Sequence, residues 1–327
     1  FGTMHLKDKR LFHLSDSLYY YLDKTNGFYM EVDPVKAFDG LIKAVLKEEE
    51  NELNFEEDSD APNIITISPK SKIEEKQKNI LGTGSNSYPA KEDDMSNFLD
   101  LYLYNIAYNK GKATGGLEPV EEHLKLLEEF PETEIPSEKA LDNMIQIYLK
   151  QDLNKILSIS SEYNSRWKEK VLINRNYIIS NSIDSLSNLS SSFFAVGAVH
   201  LPGEEGILNL LKKKGFLIEP IFSTNNISPD NYHYAKKDRQ WEKHAHKQGA
   251  WKADFPVPPI EQVVDENMKI NWNIDILTGM SYFIFDYHLP NAEITEKDQE
   301  EFKNLILENF MGDEKTLTEK HFIRNGL

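Results

Sequence analysis

The chain has 327 residues, of which 39% are hydrophobic, 11% aromatic and 28% charged, so its composition excludes a largely disordered protein. The 54 acidic residues outnumber the 37 basic ones, and the net charge of −17 disfavours nucleic-acid or anionic-membrane partners. Cysteine is absent, which excludes disulfides, thiolate metal sites and cysteine nucleophiles. A transition metal would therefore need His, Asp or Glu as its ligands.

The length predicts two domains, at about 100–200 residues per domain. We predict an α/β unit over residues 1–225, with a mostly parallel central sheet, flanking helices and a helical insertion. A smaller C-terminal α+β domain is predicted over residues 226–327. No apolar run approaches the ~18–20 residues of a membrane-spanning helix. Because the sequence starts at Phe1 without Met, we expect an upstream segment, such as a targeting peptide, to be missing.

The first elements in chain order are a helix and a strand. Ser15 or Asp16 can cap a helix that ends before Gly27, and Phe28–Val32 is predicted to be extended. A second helix, over about Pro34–Lys47, leads into acidic residues that we interpret as a solvated loop, Glu48–Asp60.

Helical patterns dominate the middle of the chain. A helix is predicted from Asp100 to Gly111, and a short strand follows over Ala113–Leu117. Pro119 then suits the first turn of a helix, and helical periodicity continues to about Leu186. This block is predicted to be an insertion between strands of the sheet.

A β-α-β unit is the most regular pattern. The apolar run Phe193–Val199 predicts a strand that is buried on both faces. A helix is predicted to open at Pro202 and close at Gly215, before a second strand over Phe216–Phe222. His200 would then lie at the carboxyl end of the first strand, which is the edge where open α/β sheets bind ligands.

The C-terminal region has mixed patterns. A helix is predicted near Lys236–Lys247, where His244 and His246 would lie on different sides and make poor joint ligands. Strands over Asn271–Ile276 and Met280–Tyr287 and a final helix over Thr295–Phe310 complete the predicted elements.

Two Gly-x-x-His segments, Gly2–His5 and Gly197–His200, stand where predicted strands end. Glycine lets a neighbouring backbone or a ligand approach closely, and a histidine at a strand end points out of the edge of the sheet. Each histidine alone is more simply a buried or capping residue. The two together favour a shared site.

Two carboxylates and an arginine extend this candidate site. Glu31 falls within an apolar strand, where a carboxylate is costly unless paired or liganded, and we expect it beside His5 because parallel strands end at one edge. Glu118 ends another short strand, although helix capping would also explain it. Arg175, on a predicted helix, could bind Glu31 or an anionic intermediate, with a surface ion pair as the simpler alternative.

Two histidines with one or two carboxylates could hold Zn²⁺, Mn²⁺, Co²⁺ or Fe²⁺ with an open position for water. Such a metal would favour amide or ester hydrolysis. The sequence contains neither the Gly-x-Ser-x-Gly segment of serine hydrolases nor the His-Glu-x-x-His helix of zincins.

An ordered set of segments carries a resemblance to a known family. The set consists of Gly2–His5 with Arg10, Met30–Asp33, Phe98–Asp100, Gly111–Lys112, Gly116–Glu118, Arg175–Asn176, and Phe194–Gly203 with Gly206 and Gly215. In this order the chain resembles the TraB/PrgY/GumN family, to which the Tiki proteins are related. The resemblance covers about residues 1–222.

The resemblance implies a metal-dependent hydrolase fold related to the erythromycin-esterase and ChaN-like group. Tiki proteins are membrane-tethered metalloproteases that use Mn²⁺ or Co²⁺, and PrgY-like members are implicated in inactivating a peptide pheromone. Transferred to this chain, the resemblance implies His5 and His200 as metal ligands and Glu31 as ligand or general base. Glu118 would support the site as a further ligand, and Arg175 would stabilise an oxyanion or orient a carboxylate.

We therefore expect a metal-dependent hydrolase, a peptidase above all, that uses Mn²⁺, Co²⁺ or Zn²⁺ on a peptide or small-molecule substrate. Two alternatives remain open. The same site could sequester a peptide or small molecule without catalysis, or it could be a metal-free, erythromycin-esterase-like hydrolase with His5 as general base. The family also implies an extracytoplasmic, for example periplasmic, location.

Overall fold

The computed structural model describes residues 1–38, 40, 94–130, 137–160, 164–223, 225–238, 241–246, 251–256, 258–263, 268–275, 277, 280–287 and 304. The predicted acidic loop Glu48–Asp60 lies outside these residues, as do most of the predicted helix Pro34–Lys47 and, apart from residue 304, the predicted helix Thr295–Phe310. In the part of the chain that is described, no helix is both long and apolar enough to cross a membrane.

The described strands are β1 (Gly2–Thr3), β2 (Leu14–Ser15), β3 (Gly27–Met30), β4 (Ala113–Gly116), β5 (Ser192–Gly197), β6 (Asn226–Ile227), β7 (Glu242–Ala245), β8 (Lys252–Phe255), β9 (Ile260–Val263), β10 (Met268–Asp275) and β11 (Met280–Tyr287). The described α-helices are α1 (Asp16–Lys24), α2 (Leu99–Asn109), α3 (Val120–Glu129), α4 (Glu138–Leu149), α5 (Leu153–Ser160), α6 (Asn174–Ser187) and α7 (Ile207–Lys213). A helical turn (Ser165–Trp167) and a π-helical segment (Lys168–Ile173) run directly into α6.

A four-stranded parallel sheet forms the centre of the fold, in the order β1-β5-β3-β4. Its register pairs Thr3 with Gly197, and Met30 with both Ala195 and Gly116. The carboxyl ends of all four strands therefore lie at one edge. With the additional antiparallel sheets, the chain has a mixed architecture that agrees with the predicted α/β class.

Apolar clusters cover the central sheet. One contains Phe28 of β3 and Tyr104 of α2, whose rings meet edge to face at 6.1 Å between centroids. The other contains Val196 of β5, Ile179 of α6 and Ile207 of α7. Burial of these apolar side chains between sheet and helices supplies the main stabilisation of such layers.

The N-terminal elements form as their sequence predicts. The Ser15 hydroxyl caps α1 by accepting a hydrogen bond from the Leu18 N–H at 3.2 Å, and the helix ends shortly before Gly27, where β3 begins. Glu31 lies one residue beyond β3, in a bend.

The strand and the helix of the predicted β-α-β unit are confirmed, but its second strand is not. β5 ends at Gly197 and continues as a 3₁₀ turn that contains His200, and α7 begins at Ile207, five residues after the predicted start at Pro202. The predicted strand Phe216–Phe222 is wrong, because these residues have no strand structure. The apolar residues of this segment are buried only in part: Phe216 and Ile218 pack against the core, whereas Leu217 is 85% exposed.

The chain beyond residue 222 first packs on the central unit. β6 pairs antiparallel with β2, and the ring of Tyr232 stacks on Tyr19 at 3.9 Å between centroids. The predicted helix near Lys236–Lys247 is wrong, because β7 forms there and pairs with β8. The strands predicted near residues 271–276 and 280–287 are confirmed as β10 and β11, which form an antiparallel sheet with β9. The division into domains at residue 226 stays a prediction.

Candidate functional site

The four parallel strands bring five predicted site residues to one edge of the sheet. His5 follows β1, Glu31 follows β3 and Glu118 follows β4, while His200 lies in the turn after β5. Arg175 reaches the same edge from the first turn of α6. In the sheet order β5 lies between β1 and β3, and Glu31 lies beside His200, whose Nε2 is 3.8 Å from Glu31 Oε1. Glu31 also interacts electrostatically with His5, the neighbour expected from the sequence.

The buried guanidinium of Arg175 joins the two glutamates. Its Nε donates a hydrogen bond to Glu118 Oε2 at 2.8 Å, and its Nη2 donates to Glu118 Oε1 at 2.5 Å. The same Nη2 donates to Glu31 Oε2 at 2.5 Å. Arg175 therefore binds Glu118 in a bidentate manner and also contacts Glu31. A planar guanidinium can make these contacts together, whereas the single ammonium group of lysine cannot.

The second oxygen of Glu31 contacts the backbone of a Gly-x-x-His segment. Gly197 N–H donates a hydrogen bond to Glu31 Oε1 at 2.5 Å. A Cβ atom at residue 197 would lie 3.0 Å from that oxygen and 3.4 Å from His200 Cδ2. The glycine therefore provides the space that lets Glu31 approach β5.

The environment moves the pKa values of the two carboxylates in opposite directions. Burial raises the pKa of Glu31, but the charge of Arg175, interactions with His200 and His5, and the Gly197 hydrogen bond together hold it well below its usual range. Burial also raises the pKa of Glu118, and there the Arg175 contacts only partly compensate. Glu31 is thus the more firmly ionised of the two.

Hydrogen bonds fix the orientation of His200. Asn176 Nδ2 donates to the backbone oxygen of Glu205 at 2.8 Å, which leaves Asn176 Oδ1 to accept from His200 Nδ1 at 2.7 Å. This network assigns the proton to Nδ1, and the Nε2 lone pair then faces Arg175 Nη1 at 3.5 Å and Glu31. Burial lowers the pKa of His200 to about 4, so the imidazole is neutral at neutral pH.

His5 is the solvent-facing member of the cluster. Its side chain is 42% exposed, and its Nδ1 lies 2.7 Å from Oδ2 of the buried Asp100 in the first turn of α2. The charge of Asp100 raises the pKa of His5 to about 9, so this imidazole is protonated at neutral pH. The exposed side of His5 is the direction from which a substrate could reach the buried residues.

The donor set fits a metal ion only in part. Both histidines have Nδ1 engaged by a neighbour, which leaves Nε2 as the atom that could bind a metal, as is usual for histidine ligands. All four oxygens of Glu31 and Glu118, however, accept hydrogen bonds from Arg175 or Gly197. No three His, Asp or Glu side chains are arranged to hold a metal ion within the described ranges.

Sequence reasoning did not assign roles to three residues that the structure brings to the site. Asp100 was noted within a family segment, but its first-turn position gave no sign that it pairs with His5. Asn176, next to Arg175, orients His200. His123, in the first turn of α3, interacts electrostatically with Arg175, Glu31 and His5, and nothing in its local sequence distinguishes it from a helix-surface residue.

The parallel sheet and the polar cluster at its carboxyl edge define an α/β protein with a buried arginine–dicarboxylate centre flanked by histidines. The model of the TraB/PrgY/gumN family matches residues 1–220, so the chain belongs to that family and the resemblance inferred from its motifs is confirmed. Comparison with curated proteins and with solved structures found no match.

Proposed function

We propose that this protein is a hydrolase that cleaves amide or ester bonds, peptide bonds above all, at the carboxyl edge of its central sheet. The observation that carries the proposal is the neutral His200, whose Nε2 lone pair lies beside an ionised Glu31 in a buried site. An imidazole that is already deprotonated at neutral pH is suited either to accept a proton or to bind a metal. Membership of the TraB/PrgY/gumN family supports a common site in this position.

The surrounding residues would each contribute one property. Arg175 neutralises the charge of Glu31 and holds both glutamates in place. Of its two expected roles, stabilising an oxyanion or orienting a carboxylate, this is the second. Asn176 fixes the tautomer of His200 through a 2.7 Å hydrogen bond. When no metal is bound, the protonated His5 at the exposed side can donate a hydrogen bond to a substrate carbonyl or carry the proton to a leaving group.

A divalent ion, Mn²⁺, Co²⁺ or Zn²⁺, is part of this proposal. His5 and His200 would hold it through Nε2, and Glu31 would join them by exchanging its contact with Arg175. When bound, such an ion lowers the pKa of a water molecule and polarises the scissile carbonyl. Because ligand histidines must be neutral, binding at His5 would release the proton that Asp100 stabilises there.

Metal-independent hydrolysis is the second candidate, and one observation favours it. The oxygens of Glu31 and Glu118 are already engaged by Arg175 and Gly197, so a metal would have to displace these contacts. His200 Nε2 would have to give up only a 3.5 Å contact with Arg175 Nη1 to act as a general base. Within this alternative the base would be His200, since the raised pKa of His5 makes that residue a proton donor. In the third candidate, the protein binds a peptide at the same residues without cleaving it.

Metal analysis and peptide cleavage separate these candidates. The purified chain is assayed for bound metal, then for cleavage of a peptide library with added Mn²⁺, Co²⁺ or Zn²⁺ or with chelator, beside His5→Ala and His200→Ala. The proposal expects metal-stimulated cleavage that both substitutions abolish. Cleavage that chelator leaves unchanged and that only His200→Ala abolishes would replace it by metal-independent hydrolysis. If the chain binds peptides but does not cleave them, sequestration would be the remaining candidate.

A further inference from the structure

His123 lies in the first turn of α3, five residues after Glu118. It has no part in the roles assigned above. Its helix, α3, begins at Val120, directly after Pro119 and only two residues after Glu118. The side chain is partly buried. His123 is thus carried by the helix that follows β4, at one end of the strand order β1-β5-β3-β4.

The Nδ1 atom of His123 is buried and has no hydrogen-bond partner among the residues that the structure describes. Buried polar atoms in folded proteins nearly always have a partner, either in the protein or in bound water or ligand. A buried imidazole nitrogen without one is destabilising unless something outside the described chain satisfies it. This observation is independent of the hydrogen-bond network around Arg175.

His123 also interacts electrostatically with groups on several other elements. These are Arg175 of α6, Glu31 after β3 and His5 after β1, and His123 in turn acts on His200 after β5. The imidazole thus shares one electrostatic environment with the whole cluster. Burial, followed by the charge of Arg175, lowers the pKa of His123 to about 4, so the ring is neutral at neutral pH.

The neutral imidazole of His123 is suited to form a hydrogen bond with an uncharged polar group of a ligand. Carboxylate or phosphate would need a cation that is not already paired. Arg175 is bound to Glu31 and Glu118, and the protonated His5 is paired with Asp100. An amide offers both an N–H and a carbonyl oxygen, so it can pair with Nδ1 in either tautomer. Amides are also the groups that a peptide presents along its whole length.

We propose that His123 is a further substrate-binding residue of this site, whose Nδ1 forms a hydrogen bond with an uncharged amide group of a bound peptide. The inference rests on the proposed function for its choice of a peptide as substrate. It adds a contact that neither the two Gly-x-x-His segments nor the Arg175 centre supplies. His123 would fix where the peptide lies relative to His200, without exchanging protons itself.

The test uses the full chain and a pool of N-acetylated, C-amidated peptides, with and without Mn²⁺, Co²⁺ or Zn²⁺. Binding and cleavage are both measured for the wild type, His123→Leu and His123→Asn. Asn places a hydrogen-bonding atom near the position of Nδ1, whereas Leu keeps the approximate volume without one. The matched control is His13→Asn, since His13 is exposed. Thermal unfolding of each variant confirms that it folds.

We expect His123→Leu to weaken binding, or to raise KM, by about tenfold or more, the effect of one lost hydrogen bond in a buried site. His123→Asn should recover most of this loss, and His13→Asn should match the wild type. Binding that depends on His123 without any cleavage would support the inference while overturning the hydrolase. Cleavage and binding that His123→Leu leaves unchanged would overturn the inference alone. If the wild type neither binds nor cleaves any peptide, both are overturned.

Discussion

Arg175 Nη2 donates a 2.5 Å hydrogen bond to Glu31 Oε2 and thereby joins helix α6 to the end of β3. The two residues are separated by 144 positions in the sequence, and both side chains are buried. The pair therefore has two roles: it closes the fold around the site, and it holds the carboxylate beside His200 ionised. Loss of either partner should affect stability and chemistry together.

Substitution of Arg175 by Met should destabilise the protein by about 3–5 kcal/mol at neutral pH, because it leaves two buried carboxylates without their cation. Arg175→Lys should recover only part of this, since an ammonium cannot bridge both glutamates in the same way. Urea unfolding measures both. The control is Arg166→Met, whose side chain is 71% exposed and pairs with Glu129, and it should change stability by less than about 1 kcal/mol. A similarly small change at Arg175 would contradict the structure.

Stability should depend on pH in opposite directions on the two sides of about pH 6.5. The pKa of His200 in the folded state, about 4, is below the ordinary histidine value of 6.5. The unfolded chain therefore takes up a proton that the folded chain does not, and stability is lost as pH falls from 6.5 towards 4. The folded pKa of His5 is raised to about 9, so its contribution is complete below pH 6.5 and is lost as pH rises towards 9. Urea unfolding of His5→Gln should lack the alkaline decline. An unchanged decline would rule out the His5–Asp100 pair as its source.

Asp100→Asn should lower the pKa of His5 from about 9 towards the ordinary histidine value of 6.5, because the charge of Asp100 is the largest cause of the shift. NMR titration of the imidazole signals measures this directly. Asp94→Asn provides a comparison carboxylate six residues earlier in the chain and should leave the titration of His5 as it is in the wild type. If His5 still titrated near pH 9 in Asp100→Asn, another group would have to hold its proton.

Gly197→Ala should disturb the site because the added methyl group is too close to Glu31, without any strain in the backbone. Residue 197 has φ −52°, which alanine adopts readily, but the new Cβ would lie 3.0 Å from Glu31 Oε1. We expect a stability loss of about 1–3 kcal/mol from overpacking, together with loss of hydrolysis as Glu31 moves. Gly40→Ala is the matched control, because its nearest neighbour would be 3.8 Å away. Equal activity in the two variants would show that Glu31 does not need its observed position.

Local sequence signals were sufficient for the placement of most site residues. Glu31 within one predicted strand and Glu118 and His200 at the ends of two others were expected to meet at one edge of the sheet, because parallel strands end together. The strand order was not predictable in this way. Periodicity does not reveal the order of strands in a sheet. The position of β5 between β1 and β3, which brings His200 within 3.8 Å of Glu31, therefore came only from the structure.

Tertiary context also decided two elements that local pattern misjudged. Residues 216–222 are mostly apolar and were predicted as the second strand of a β-α-β unit, yet none of the described strands pairs with them, and Leu217 and Phe222 are exposed. Near Lys236–Lys247 the charged composition favoured a helix, whereas pairing with β8 makes residues 242–245 a strand. His123 escaped notice for a related reason, since only the fold brings the first turn of α3 towards Arg175.

The most direct test of the account is turnover of the peptide pool by Glu31→Gln and His200→Ala beside the wild type. The exposed Glu129 and His13 provide matched controls as Glu129→Gln and His13→Ala. The account predicts that each site variant loses about 10²-fold or more in kcat/KM, the scale of general acid–base catalysis, while the controls stay within about twofold of the wild type. Site variants that cleave peptides as fast as the wild type would contradict it.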